Sequence, residues 1–556
     1  MKKLLLFIAV CVLFSIGAAH SCRIFDSDIP GWSWLYNPEI AFTISYDGTS
    51  GSYSLESIQE NFIFESEPEM KHELVILCNF DFDSYSYSYS GYNHDSHSHF
   101  HYDPDLDSLH KVLTSWEITH KIVEVDANTQ ISEDLLGDSS FVLLDYTFLK
   151  RSLTKKEKKL FRSLKNRVII LSGFNLGFSG EFTLMNKEKQ EYISTLESSS
   201  YKGWLDLGYY RIKMLKTKST YITIEKIRND SPKGLYHNLL VRTLFVSGIP
   251  VRQPFCSLEI DDCAMYQTEN TKGDPITAGL DAYKNSVELA HSYNLTPIYG
   301  FTTSYFGYNP EIKEIFSFLK ENQVLVANHG YSHCLGFADA EKLSEEILKA
   351  NTDIENMWGE PPRVILVPCH SMHEESMIHA LKDSPIKFVG SMGNGYDYGI
   401  HDKVFFYERT SLQLYSASVD DAPVFSGVYL YSKVLPPSVY AVTHIFNYIK
   451  KGAAYQYITD VFSFLVRMGY TPSDTETMAE EDFFWELTDF ISYTKDGILT
   501  VYISEKEYLP EYTIHFMVYG DLSIKIVADM YVESEVLYQD GITYVTVVIK
   551  PEPICR

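Results

Sequence analysis

The chain has 556 residues, a formal net charge of −27 from 47 Lys+Arg against 74 Asp+Glu, and 45% hydrophobic residues. This length holds roughly two to four domains with sizeable cores, and the composition excludes a disordered, collagenous or multi-span membrane protein. The charge argues against nucleic acid or an anionic lipid surface as partner, since both are themselves negative.

In chain order, the first element is Met1-Lys2-Lys3 followed by an apolar run from Leu4 to Ala19. It is shorter than the roughly 20 residues of a spanning helix and reads as a secretory signal over residues 1–21. Ala19 and Ser21 suit cleavage before Cys22; lipid attachment to Cys22 is the alternative and the only membrane attachment expected. A secreted, periplasmic or cell-surface location follows, and export permits disulfides. Of the 8 cysteines, Cys11 leaves with the signal, and the remainder show no CxxC pair, so pairing cannot be deduced. Cys256 and Cys263 either bridge or lie buried, burial being the stronger expectation.

Residues 22–70 read as a β-rich lead-in. From 71 to 250 the runs His72–Cys78, Lys121–Asp126, Phe141–Asp145 and Arg167–Gly173 alternate with helical patterns, predicting an open parallel α/β domain. Neither G-x-G-x-x-G nor G-x-x-x-x-G-K-[ST] occurs in it, so a nucleotide site is unsupported. A Tyr/Ser/His tract, Tyr85–Tyr102, interrupts it and holds His94, His97, His99 and His101. From 251 to 487 strands are predicted at Phe255–Ile260, Leu295–Thr302, Val324–Asn328, Val364–Val367, Ile386–Val389 and Val439–Thr443. Helices are predicted between them at Ala278–Tyr293, Pro310–Glu321, Ala340–Trp358 and Glu374–Lys382. Repeated strand–helix units suit a barrel-type α/β domain. Residues 488–556 read as a small C-terminal β-domain.

Three segments at strand ends of the second α/β unit carry metal-capable groups. They are Asp261-Asp262 after Phe255–Ile260, His329 and His333 after Val324–Asn328, and His444 after Val439–Thr443. In a parallel barrel such positions gather at one face. Two imidazoles and a carboxylate bind a divalent ion and leave positions for water and substrate. The remaining carboxylate can take a proton from water, and the remaining histidine can protonate a leaving group. An Asp-Asp pair or a lone histidine is commonplace; the three segments in this order are not.

With these motifs the chain resembles the NodB-homology polysaccharide deacetylases, carbohydrate esterase family 4 and its relatives, over about residues 251–450. The resemblance implies a distorted (β/α) barrel, with Asp261 as base, Asp262, His329 and His333 as metal ligands, and His444 as acid. Gly330 stands where the family has Ser or Thr. The family's R-x-P-Y motif survives only as Leu366-Val-Pro368-Cys369-His370; Arg363 lies too early to serve, and His370 and His373 are candidate substitutes. In the family that arginine steadies the base, and the backbone N–H after the proline, here Cys369, helps hold the oxyanion. Asp420 and Asp421 are candidates for orienting His444. The expected fold is therefore α/β: an open parallel α/β domain, a deacetylase-like barrel and a C-terminal β-domain. The expected activity is metal-dependent hydrolysis of N-acetyl or O-acetyl groups on a polysaccharide or oligosaccharide, with zinc the expected metal. Two other readings stand beside it: a non-catalytic glycan-binding protein on this scaffold, and an amidase acting on a non-sugar amide. The 14% of aromatic residues would serve sugar stacking if some line the site.

Overall fold

A computed structural model describes residues 42–47, 52–57, 74–78, 106–125, 129–137, 139–145, 154–164, 167–172, 183–184, 210–216, 220–226, 233–268, 275–333, 341–368, 374–382, 384–391, 399–401, 404–409, 412–413, 435–495, 497–505, 511–528 and 530–550. Cys22, the Tyr/Ser/His tract, Cys369, His370, His373, Asp420 and Asp421 lie outside them.

Leu74–Cys78 is buried at every position, as a strand covered on both faces must be. It pairs in parallel with His120–Glu124 and Phe141–Leu144; Val168–Ser172 and Thr220–Lys226 extend the parallel set. Tyr210–Lys216 and Thr183–Leu184 then add antiparallel strands, so the expected open α/β sheet carries an antiparallel edge.

The second sheet is centred on Phe255–Cys263, which lies between Ile298–Phe301 and Ser438–His444 in parallel register. Leu325–Asn328, Val364–Leu366, Phe388–Ser391 and Val404–Glu408 continue it in parallel, and Gly399–His401 closes its far end antiparallel. Leu412–Gln413 pairs beyond Ser438–His444. The sheet curls into a distorted barrel. Helices Leu280–Ser292, Ile312–Glu321, Leu343–Trp358 and Glu374–Leu381 form its crossovers. Side chains alternate across the central strand: Cys256, Leu258 and Ile260 join the core under the helices, whereas Ser257, Glu259 and Asp261 are buried polar residues on the other face.

Besides several short strands, a strand and a helix of this unit escape the sequence reading. Val404–Glu408 is five residues of uniformly apolar start, without alternation or a Gly/Pro boundary to frame it. Helix Thr475–Glu486 starts on an Asp474 cap, whose carboxylate accepts from the Thr477 backbone at 2.8 Å, but it has little apolar face.

The C-terminal β-domain is two sheets packed on Val501, Ile514, Phe516, Val545 and Val547. One sheet includes Phe42–Asp47 and Ser52–Ser57, with Ile44 opposite Ile526, so the lead-in supplies strands to the far end of the chain. Cys78, Cys256 and Cys263 are buried free thiols, which removes the Cys256–Cys263 bridge as an option. Among the described residues no helix is long and apolar enough to cross a membrane.

Candidate metal and catalytic site

Consecutive residues of an unbroken strand face opposite sides. Asp261 and Asp262 escape this because the register with Ile298–Phe301 slips between Ile260 and Cys263, and Asp262 adopts φ 55°. The bulge turns both carboxylates toward one end of the barrel. Asp261 is the register partner of His444 on the adjacent strand. Its Oδ1 lies 3.4 Å from His444 Nε2, and Asp262 Oδ2 lies 3.7 Å from His444 Nδ1. The His444 backbone N–H donates to Asn447 Oδ1 at 3.1 Å, fixing the turn that follows.

The histidine pair depends on the turn after Leu325–Asn328. Asn328 Nδ2 donates to Asn351 Oδ1 at 2.7 Å, and its Oδ1 accepts the Gly330 N–H at 2.6 Å. Gly330 has φ 84°, a left-handed conformation that glycine takes without a Cβ penalty. The hydroxyl expected at that position is unnecessary here, because Ser332 tethers the turn. Its N–H and Oγ donate to the two oxygens of Glu346 at 2.7 and 2.9 Å. The rings of His329 and His333 then stand 5.0 Å apart. Their Nε2 atoms face Asp262 Oδ1 at 3.5 and 3.1 Å.

The Leu366 carbonyl can only accept, so the 2.6 Å contact to His329 Nδ1 places the proton there. The Nε2 lone pair is thereby aimed at Asp262, as in a metal-ligating histidine held by a carbonyl behind it. Burial pushes the His329 imidazole below its usual pKa despite the pull of Asp262, which favours the neutral, ligating form. Burial works to raise the Asp262 carboxyl, but His444, His329 and His333 together hold it well below the carboxylate range.

Asp262, His329 and His333 form a buried cluster suited to a divalent ion, with one ligand atom from each lying within 4.8 Å of the others. Donors about 2.1 Å from a tetrahedral ion stand about 3.4 Å apart, close to the 3.1 and 3.5 Å observed. Asp261, Asp262 and His444 form a second, overlapping group. Asp261 is less available to an ion, since Arg409 holds its Oδ2, while its Oδ1 is buried without a hydrogen bond.

Arg409 is the main residue that sequence reasoning missed. It follows the unpredicted strand Val404–Glu408 and is fully buried. Its Nη2 donates to Asp261 Oδ2 at 2.7 Å, Nη1 to the Val367 carbonyl at 3.0 Å and Nε to Glu259 Oε2 at 3.0 Å. The arginine sought in register before Pro368 comes instead from a strand two places along the sheet, and it reaches the same aspartate. Arg363, by contrast, pairs with Glu476 at 2.9 Å. The sole sequence signal was an arginine ending an apolar run; nothing local ties it to Asp261, 148 residues away.

No family model matches the sequence, and no curated protein matches it. Among solved structures, the chain is similar to Agd3, described as a novel carbohydrate deacetylase, with TM-score 0.56 and 10% identity over 86% of this chain and 98% of that one. The peptidoglycan deacetylase PdaC from Bacillus subtilis aligns with TM-score 0.26 and 15% identity over 41% of this chain and 91% of its own. The Xyl-CE4 domain of a multidomain xylanase from the hindgut metagenome of Trinervitermes trinervoides gives TM-score 0.28 and 12% identity over 41% and 91%. The last two scores are too low to carry an argument. In fold, this chain is similar to the carbohydrate deacetylase Agd3 along most of both chains.

Proposed function

We propose that the chain is an exported, metal-dependent deacetylase that hydrolyses N-acetyl or O-acetyl groups of a polysaccharide or oligosaccharide. One observation supports this most: Asp261, Asp262, His329, His333 and His444, from three separate strand ends, meet in one partly open cluster. The fold similarity to a carbohydrate deacetylase along 86% of the chain supports the substrate class.

Asp262, His329 and His333 would hold the ion, with zinc favoured by a His₂Asp donor set. Such an ion polarises an acyl carbonyl and lowers the pKa of water. Asp261, steadied on Oδ2 by Arg409, presents Oδ1 to accept a proton from the attacking water. His444 stands across from it and donates a proton to the departing nitrogen or oxygen. One water is consumed, the C–N or C–O bond breaks, and acetate and the free amine or alcohol leave. The glycan-binding alternative rested on a missing arginine and on the aromatic excess, and Arg409 removes the first of these motives. Export rests on the Met1–Ala19 leader.

The test is acetate release from chitin oligomers and acetylated exopolysaccharide by wild type and Asp261→Asn. Release by wild type alone supports the reading; equal release by both refutes Asp261 as base.

A further inference from the structure

Arg409 is held from two sides, and the second side is not used by the chemistry above. Glu259 lies two residues before Asp261 on the same face of the strand, with a fully buried side chain. Its Oε2 accepts from Arg409 Nε at 3.0 Å and its Oε1 accepts from the Tyr407 hydroxyl at 2.7 Å. Tyr407 in turn stacks on Tyr440 with ring centroids 4.3 Å apart, and the Tyr440 hydroxyl donates to Asp482 Oδ2 at 2.6 Å. There is no slack around the group: a Cβ at Gly390 would lie 2.7 Å from the Tyr407 hydroxyl and 3.2 Å from Arg409 Cδ.

A guanidinium is planar, and its Nε and Nη edges are fixed relative to one another. Anchoring Nε on Glu259 and Nη1 on the Val367 carbonyl therefore leaves one direction for Nη2, toward Asp261. Burying a second carboxylate is costly unless it is paired and fully hydrogen-bonded. Among the described residues, Glu259 meets that condition through Arg409 and Tyr407. Charge compensation of Arg409 alone would not need it, since Asp261 already supplies a carboxylate.

We propose that Glu259 is a positioning residue for the reaction: it orients the Arg409 guanidinium and, through it, holds the Asp261 carboxylate at the angle from which Oδ1 faces the attacking water. This rests on the deacetylase reading. Arg409 and Tyr407 are the groups through which it acts, and Glu259 itself touches no substrate.

The experiment compares wild type, Glu259→Gln, Arg409→Ala and the double variant, with and without added guanidinium. Acetate release from chitin oligomers, zinc content and melting temperature are measured for each. Glu259→Gln is expected to lower kcat by about 10- to 100-fold, with KM within about twofold and zinc retained. Guanidinium should restore part of the rate of Arg409→Ala but not of the double variant, because Glu259 forms the cradle for the free ion. Unchanged kcat in Glu259→Gln, a loss of rate that follows loss of zinc, or equal rescue of both alanine proteins overturns the proposal. If Glu259→Gln does not fold, Tyr407→Phe frees one Glu259 oxygen and carries the same test: lowered kcat with zinc retained supports it, and an unchanged rate overturns it. A wild type that releases no acetate from either chitin oligomers or acetylated exopolysaccharide refutes the deacetylase reading. The cradle is then decided by melting temperature, which guanidinium must raise in Arg409→Ala more than in the double variant.

Discussion

On the proposed reading the two adjacent aspartates divide the labour at the site, and each has its own expected outcome. Asp262→Ala removes the carboxylate that both histidines face, so the protein should lose its metal on dialysis while keeping its circular dichroism spectrum. Asp261→Asn leaves those three ligands in place; it should retain metal and lose about 10²- to 10⁴-fold in rate, the usual worth of a general base. A variant that loses metal and rate together would instead place Asp261 among the ligands. The cysteines give a different outcome. Burial pushes the Cys78 thiol up to about 12, aided by Asp145 and Glu124, and burial alone takes Cys256 to about 12. Thiolate is the reactive form, so iodoacetamide at mildly alkaline pH should spare both residues in the native chain and modify them after denaturation. Peptide mass mapping reads this directly.

At the scale of elements, the site is a product of strand ends and the turns after them. The bulge at Ile260–Cys263 presents two adjacent aspartates together, and helix Leu343–Trp358 supplies Glu346 and Asn351 to shape the histidine turn. The strand Phe388–Ser391 contributes through what it lacks. With a Cβ at Gly390 only 2.7 Å from the Tyr407 hydroxyl, Gly390→Ala must displace Tyr407 or Arg409. The expected cost is about 1–3 kcal/mol of stability from overpacking, with reduced acetate release and unchanged zinc content. Normal activity in a stable Gly390→Ala protein would show that the Tyr407–Glu259–Arg409 arrangement tolerates movement. Asp261–Asp262, His329–His333 and His444 were legible in the sequence because each sits where an apolar run stops, and strand ends are a local pattern. Glu259 was not singled out in the sequence, because nothing local marks it as a partner of Arg409. The strand preceding Arg409 was missed although Val404 to Tyr407 are as continuously buried as the predicted Leu74–Cys78, because no Gly or Pro boundary frames the run.

Across the whole molecule, an ion held by Asp262, His329 and His333 would link two strand ends that are far apart in sequence. A ligand that binds only the native state stabilises it by about 2.7 kcal/mol at 100 times its Kd. Chelation should therefore lower the melting temperature, and zinc should restore it. His333→Ala should melt at one temperature with or without chelator; a chelator shift that persists in it would mean the ion sits elsewhere. The −27 charge argues against negatively charged partners and locates no site. Many of the aromatic rings are core, as with the fully buried Tyr283, Tyr299, Tyr407, Tyr440 and Tyr448.

The sequence by itself determined the order of the parts and the chemical groups at the strand ends, because hydrophobic periodicity and residue type are local properties of the chain. Tertiary structure alone decided which arginine reaches Asp261. It likewise joined Phe42–Asp47 to the C-terminal sheet and paired Glu259 with Arg409 and Tyr407. Each of these is a contact across a long stretch of chain. Such contacts form only when strands distant in sequence are set side by side in a particular order, and neither propensity nor spacing along the chain encodes that order.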